Sequence, residues 1–285
     1  MKLFKYVAAI LLCLIVLIPL MMTVTVSLNP DNTDIMASMG SWRSFIPMHF
    51  SVDNFAKVWN DPYHPFGLYL FNTAFITGAS LLLSLIVNSM AAFALAWGAG
   101  KYRKYLLGAI IAVLAIPAES LVLPQLLMVS RAGLIDTYAV QILPGIANAF
   151  FIFLFYQFFS KIPKDLIDAA KVDGFSLFTT FRYIGVPSSI PVCVTVAILH
   201  FLAIWNSYLW PIMVTRGPEV RPLSVAMSAY FSGNQTHWGS VMAFAVCMAI
   251  PVIILIVAFL VYKVVRTFVK IAKYLAVIIR KNKIK

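Results

Sequence analysis

The chain has 285 residues, of which 62% are hydrophobic and 11% charged, with a mean hydropathy of +0.91; an ordinary soluble domain is roughly 45–50% apolar and 25% charged. A soluble monomer is therefore excluded. The 22 Lys and Arg against 10 Asp and Glu give a formal charge of +12, but the cations sit in short clusters between long uncharged runs, as in a polytopic membrane protein and unlike a nucleic-acid binder.

Crossing a hydrocarbon core takes about 20 apolar residues, and backbone polar groups cannot be left bare in lipid, so each long apolar run predicts a helix. Lys2 and Lys5 precede the first run, Tyr6 to Leu28. That run is longer than the roughly 7–15 residues of a signal-peptide core and no small-x-small site follows it, so it is expected to stay as a membrane helix. Five more runs follow: Leu68 to Trp97, Tyr105 to Val129, Thr137 to Phe159, Ser188 to Val214 and Gly239 to Tyr262. The expected fold is all-α, with six transmembrane helices. The second and fifth runs exceed one crossing, which predicts tilt or extension beyond the bilayer. The chain divides into a first helix with an external loop (1–67), a five-helix core (68–263) and a basic tail (264–285).

Placing the N-terminus in the cytoplasm puts 17 of the 22 basic residues on that side, leaving Arg43, Lys57, Arg131, Arg216 and Arg221 outside with six of the ten acids. This is the positive-inside pattern, and it predicts that both termini are cytoplasmic. In the tail, Arg266, Lys270, Lys273 and Arg280 recur at helical spacing among apolar residues, as in a basic amphipathic helix lying on anionic lipid.

Within the spans, Glu119 is either a pathway or gating carboxylate or a structural hydrogen-bonding group beside Pro117. Gln125, Gln141, Asn148, His200 and Asn206 either bridge neighbouring helices or together form a hydrogen-bonding wall of the kind a sugar requires. Trp205, Tyr208 and Trp210 either stack on a pyranose face or belong to an interfacial aromatic belt. The four histidines, His49, His64, His200 and His237, are dispersed, and Cys13, Cys193 and Cys247 lie in apolar runs, so no metal site is expected. Gly100-Lys101 lacks the upstream glycine and the Ser/Thr of a P-loop, so nucleotide chemistry must come from a partner.

The internal loop 160–187 carries the strongest local signals. Pro163, then Asp165 and Asp168 near a positive helix end, then Ala169-Ala170 and finally Gly174 predict a short, well-terminated helix. Leu177 to Arg182 predicts a second helix that stops before Pro187. Such a pair is either a protrusion for a cytoplasmic partner or an ordinary helix lying on lipid.

This loop resembles the EAA motif of ATP-binding-cassette (ABC) importer permeases, E-A-A-x(3)-G-x(9)-I-x-L-P. The matching residues are Asp168-Ala169-Ala170, Gly174 and Ile184-Gly185-Val186-Pro187, with Asp for Glu and Val for Leu. Further likeness to MalG-type carbohydrate permeases runs through Asn72-Thr73, Pro117-Ala118-Glu119, Gly133-Leu134-Ile135-Asp136-Thr137-Tyr138, Leu143-Pro144, Trp205-Asn206 and Trp210-Pro211. The resemblance implies a non-enzymatic subunit that moves a sugar or polyol by alternating access. It implies as partners a homologous permease subunit, two cytoplasmic ATPases that bind the ATP and Mg, and an external substrate-binding protein, with no cofactor in this chain and no nucleic acid. Asp168, Ala169, Ala170, Asp173, Gly174, Ile184 and Pro187 would couple to the ATPase. Glu119, Gln125, Asn148, Trp205, Asn206 and Tyr208 are the candidate pathway residues. A glycerol-phosphate permease of the same type is the nearest alternative; an ion-coupled transporter using Glu119 or a membrane scaffold is more distant.

Overall fold

A computed structural model describes residues 2–38, 40–46, 49–233 and 237–282. Every regular element among them is helical. The chain forms two compact units, one of residues 65–228 and the other of residues 1–64 with 229–285.

In the second of these, α1 (Lys2–Ser27) packs along α15 (Trp238–Asn282), which also meets the short helices α2 (Asn32–Ser38) and α3 (Asp53–Trp59). Asn54 Nδ2 donates to the carbonyls of Ser27 and Asn29 at 3.0 and 2.8 Å, tying α3 to the end of α1. The expected tail helix is the continuation of α15, whose backbone runs unbroken to Asn282; residues 283–285 lie outside the described residues.

The unit of residues 65–228 is built around α4 (Phe66–Trp97). Its 32 residues give a length of about 48 Å at 1.5 Å per residue, well beyond a hydrocarbon core of about 30 Å. One face of α4 carries Thr73, Thr77, Ser80, Ser84 and Asn88, all buried. Spacings of three and four residues align these small polar groups, which lets neighbouring helices approach closely and bond across. Around α4 stand α5 (Arg103–Leu114), α6 (Ala118–Arg131), α7 (Tyr138–Ile146), α8 (Ala149–Phe159), the loop helices α9 (Lys164–Val172), α10 (Leu177–Thr180) and α11 (Val186–Ser188), then α12 (Ile190–Trp205) and α13 (Leu209–Val214); the unit ends within α14 (Leu223–Gly233). Helices α7, α8 and α12 pack directly on α4, and α5 packs on α8.

Three helices are each long and apolar enough to cross a membrane, and three bent pairs meet the same test together, so the six expected spans are present in number. Three of them are broken rather than straight. The third, expected as one helix over Tyr105–Val129, turns by 95° between α5 and α6. Pro117 stands at that turn in extended backbone (ψ 129°); it lacks an N–H and disfavours helix at Ile116 before it. The fourth bends by 42° between α7 and α8. For the fifth, expected over Ser188–Val214, the 77° bend falls at its start, between the loop helices Leu177–Ser188 and α12, and α12 ends at Trp205, short of the expected Val214. Asn206 closes it by donating from Nδ2 to the Leu202 carbonyl at 2.9 Å, a side-chain competitor for helix continuation.

The second loop helix does not stop before Pro187. From Leu177 the helical path runs through a π turn over Phe181–Gly185 and on to Ser188. Val186 N–H bonds back five residues to the Phe181 carbonyl. The wider turn removes the clash of a proline ring with the carbonyl four residues earlier, so the proline is accommodated inside the helical path.

Candidate functional site

The EAA-like helix α9 is terminated as its sequence predicts. Gly174 has φ +78°, its N–H bonds to the Lys171 carbonyl at 3.0 Å, and Phe175 N–H bonds to the Ala170 carbonyl at 2.9 Å. Together these are the paired bonds of a Schellman cap. Asp168 is half-exposed and pairs with Lys171 at 3.4 Å and Lys164 at 3.9 Å, surface contacts on its own helix. Ala169 and Asp173 face solvent. Ala170 does not: it and Ile167 are buried, so of the two alanines one faces solvent and the other the protein.

The buried face of α9 joins a cluster formed by Ala92, Phe93, Ala96, Phe155, Phe159 and Ile162. Phe93 meets Phe159 edge-on at 5.2 Å and Phe181 at 5.3 Å, geometry that adds to the area buried. Gly185 lies against this cluster, since a Cβ there would stand 3.0 Å from two carbons of the Phe93 ring. Ile184 is half-buried beside it and Pro187 is exposed. The loop is thus seated on the ends of α4 and α8, while its outer side exposes Leu166, Val172, Phe175, Phe178 and Tyr183.

The second feature is a cavity of about 470 Å³ between α4, α6, α7 and α13, within the range of small-molecule sites. Glu119, Gln125, Asn148 and Tyr208 line it, as do Gln141 and Trp210. Glu119 sits in the first turn of α6, where the helix dipole favours a carboxylate. Asn148 serves first as the N-cap of α8, its Oδ1 accepting from the N–H groups of Phe150 and Phe151 at 2.9 and 3.2 Å. Trp205 and Asn206 are not among the lining residues. Trp205 is buried and stacks on Phe201 at 5.2 Å, and the Asn206 amide is spent on the end of α12. Thr73, Thr77 and Ser207 also line the cavity and were not expected; for the two threonines, the three-and-four spacing of small polar residues along α4 was the available signal.

Gln141 is held by its Nε2, which donates to the Val220 carbonyl at 2.8 Å. That bond fixes the amide, and its Oε1 is buried without a partner, as is Thr77 Oγ1. Among the described residues, no Lys, Arg or His lines the cavity, and Glu119 is its only carboxylate.

The segment 216–223 is fastened beside this cavity by side chains of α4 and α7. Asn72 Nδ2 donates to the carbonyls of Glu219 and Arg221 at 2.9 and 3.0 Å, and its Oδ1 accepts from Tyr138 Oη at 2.6 Å. Leu223 N–H donates to Thr73 Oγ1 at 2.7 Å. The run from Gly133 to Tyr138 acquires a local meaning. Gly133 (φ +68°) closes α6, Asp136 (φ +63°) accepts from Arg216 N–H at 2.9 Å, and Thr137 caps α7.

Residues 88–270 match the family model described as "Binding-protein-dependent transport system inner membrane component". The chain belongs to that family. A permease of arabinooligosaccharide transport from Halalkalibacterium halodurans is 30% identical over 86% of this chain and 87% of its own. A melibiose/raffinose/stachyose import permease from Bacillus subtilis is 31% identical over 90% and 91%. In three dimensions the chain is similar to a bacterial ABC transporter involved in alginate import, with a TM-score of 0.78, 25% identity and coverage of 92% and 96%. The expectation of a MalG-type ABC permease, a membrane component and not an enzyme, is therefore borne out, and the ion-coupled and scaffold alternatives fall away.

Proposed function

We propose that this permease subunit pairs with a homologous permease subunit and two cytoplasmic ATPases, receives solute from an external binding protein, and carries a neutral, hydroxyl-rich solute of the sugar or polyol class. The cavity carries the solute reading. Among the described residues, the one charged group that lines it is the Glu119 carboxylate. The solute-facing lining is uncharged hydroxyl, amide and aromatic surface, from Thr73, Gln125, Asn148, Ser207, Tyr208 and Trp210, apart from that carboxylate, which suits the hydroxyls and ring faces of a sugar. A phosphate or uronate would meet Glu119 with no lining cation to offset it, so glycerol phosphate is disfavoured.

Orientation follows the charge distribution, with both termini and the loop 160–187 in the cytoplasm. On that side Asp168, Ala169, Asp173 and the exposed apolar residues of α9 and α10 face an ATPase. Ala170 and Ile184 face the permease body, Gly174 ends α9, and Pro187 lies on the exposed side of the loop. Movement imposed on α9 reaches α4 and α8 through the aromatic cluster, which switches access to the cavity.

The test is uptake by proteoliposomes holding the permease, the companion subunits encoded with it and the binding protein. Vanadate-sensitive uptake of a neutral oligosaccharide, unaffected by excess glycerol 3-phosphate, is the expected result. Uptake driven by an ion gradient without ATP, or uptake of glycerol 3-phosphate alone, would refute it.

A further inference from the structure

In the sequence, Lys101, Arg103 and Lys104 count among the cytoplasmic basic residues that follow from topology and anionic lipid. In the fold they line a pocket of about 380 Å³ together with Gly100, Leu107 and Tyr156. We infer that this pocket is a headgroup site for an anionic phospholipid.

Three observations support it. Gly100, with φ +50°, turns the chain sharply just after the end of α4, so the three cations gather at one concavity. The ion pairs among the described residues involve other side chains, and these three cations have no carboxylate partner. Arg103 is held in place, with Nε donating to Tyr156 Oη at 2.9 Å and its guanidinium 5.3 Å from the centroid of the same ring. Its terminal N–H groups are left to engage a phosphate as a planar fork.

The surroundings select a lipid over a soluble anion. Leu107 forms an apolar wall of the pocket, and next to it Tyr102, Tyr105 and Leu106 are exposed at 60%, 76% and 50%. Exposed aromatic and aliphatic side chains beside a basic concavity, at the end of a spanning helix, match the level of phosphate, glycerol and upper acyl chain together. A free phosphate would use the cations and leave the apolar surface wet. The inference takes its leaflet, the inner one, from the proposed orientation.

The test uses the assembled transporter, stripped of native lipid and equilibrated with equal amounts of dioleoylphosphatidylglycerol and dioleoylphosphatidylcholine, with retained lipid counted by native mass spectrometry. The wild type is expected to keep the anionic lipid in preference. Lys101→Gln with Lys104→Gln should lower its retention by about twenty-five-fold, since each cation near the surface is worth about fivefold. Lys101→Arg with Lys104→Arg should restore it, which separates lost charge from lost fold. Equal retention of the two lipids, or retention unmoved in the glutamine pair, would overturn the inference. So would displacement of the lipid by millimolar inorganic phosphate, or loss of the ATPase from the glutamine pair with lipid unchanged. Labelling of Lys104→Cys from outside the cell would overturn the orientation while leaving the lipid count to stand or fall separately.

Discussion

Asn88 clasps the break before Asn148: its Oδ1 accepts the Asn148 N–H at 2.8 Å while its Nδ2 donates to the Ile146 carbonyl at 2.8 Å. The bend between α7 and α8 frees these two backbone groups, and one amide on α4 satisfies both. Inside a membrane such groups have no water to turn to.

Asn88→Leu should therefore cost about 2–4 kcal/mol, from two orphaned backbone groups at about 1–3 kcal/mol each with some relaxation. A lower melting temperature in detergent is the expected result, with Asn88→Asp intermediate because it keeps the acceptor. An unchanged melting temperature in Asn88→Leu would show that the bend is held by packing alone.

At Gly174 a Cβ would meet no other atom within 4 Å, so space is no obstacle and the positive φ is the only constraint. Gly174→Asn should then be tolerated, whereas Gly174→Val should cost at least about 1 kcal/mol and fray α9. Both variants are expected to insert normally. Binding-protein-stimulated ATP hydrolysis should survive in the first and be lost in the second. Equal activity in both would uncouple the loop from hydrolysis.

Gly185 poses the opposite problem, since its backbone is ordinary and its neighbours are close. Gly185→Ala would press on Phe93 at 3.0 Å and Phe181 at 3.1 Å, an overpacking cost of about 1–3 kcal/mol. The expected phenotype is more ATP hydrolysed per solute carried. Phe93→Leu in the same chain should relieve it, and failure to do so would place the defect elsewhere.

Much of this was readable in the chain. The long helices α1 and α4 begin and end within a few residues of their apolar runs, because length and hydropathy alone decide whether a helix can cross. Gly174 was readable because only a left-handed residue completes a cap. The broken spans were less so: Pro117 signals a break, but its 95° angle comes from what α5 and α6 pack against. Trp205 and Asn206 looked like pathway residues because composition cannot tell which side of a helix end meets a cavity. The small polar residues of α4 individually look inert, and their role emerges only from alignment on one buried face.

The Tyr138 hydroxyl bridges Asn72 Oδ1 at 2.6 Å and the Glu219 carbonyl at 3.3 Å. Tyr138→Phe removes both bonds, at about 1–2 kcal/mol. Amide exchange over residues 216–223 should accelerate by roughly tenfold, with the rest of the chain unaffected. No local change would mean that Asn72 and Gln141 suffice to hold the segment.

Topology is open to the simplest measurement. Reporter fusions after Lys104 and Lys164 should read as cytoplasmic, and those after Asp53 and Arg216 as external. An external Lys164 fusion would remove the site proposed for the ATPase.

The turn at Pro117 carries a consequence for how the cell must handle this chain. With 12 residues, α5 is about 18 Å long, little more than half the thickness of the hydrocarbon core, before α6 departs at 95°. Every residue from Ile111 to Leu121 is exposed, including Glu119 and the break itself. Lipid can cover its aliphatic side chains but not the Glu119 carboxylate or the backbone groups freed at Pro117, so on the proposed pairing a copy inserted without its companion leaves those polar groups in hydrocarbon. On that pairing, the lifetime of this chain in the cell is expected to be set by how soon it meets the second subunit.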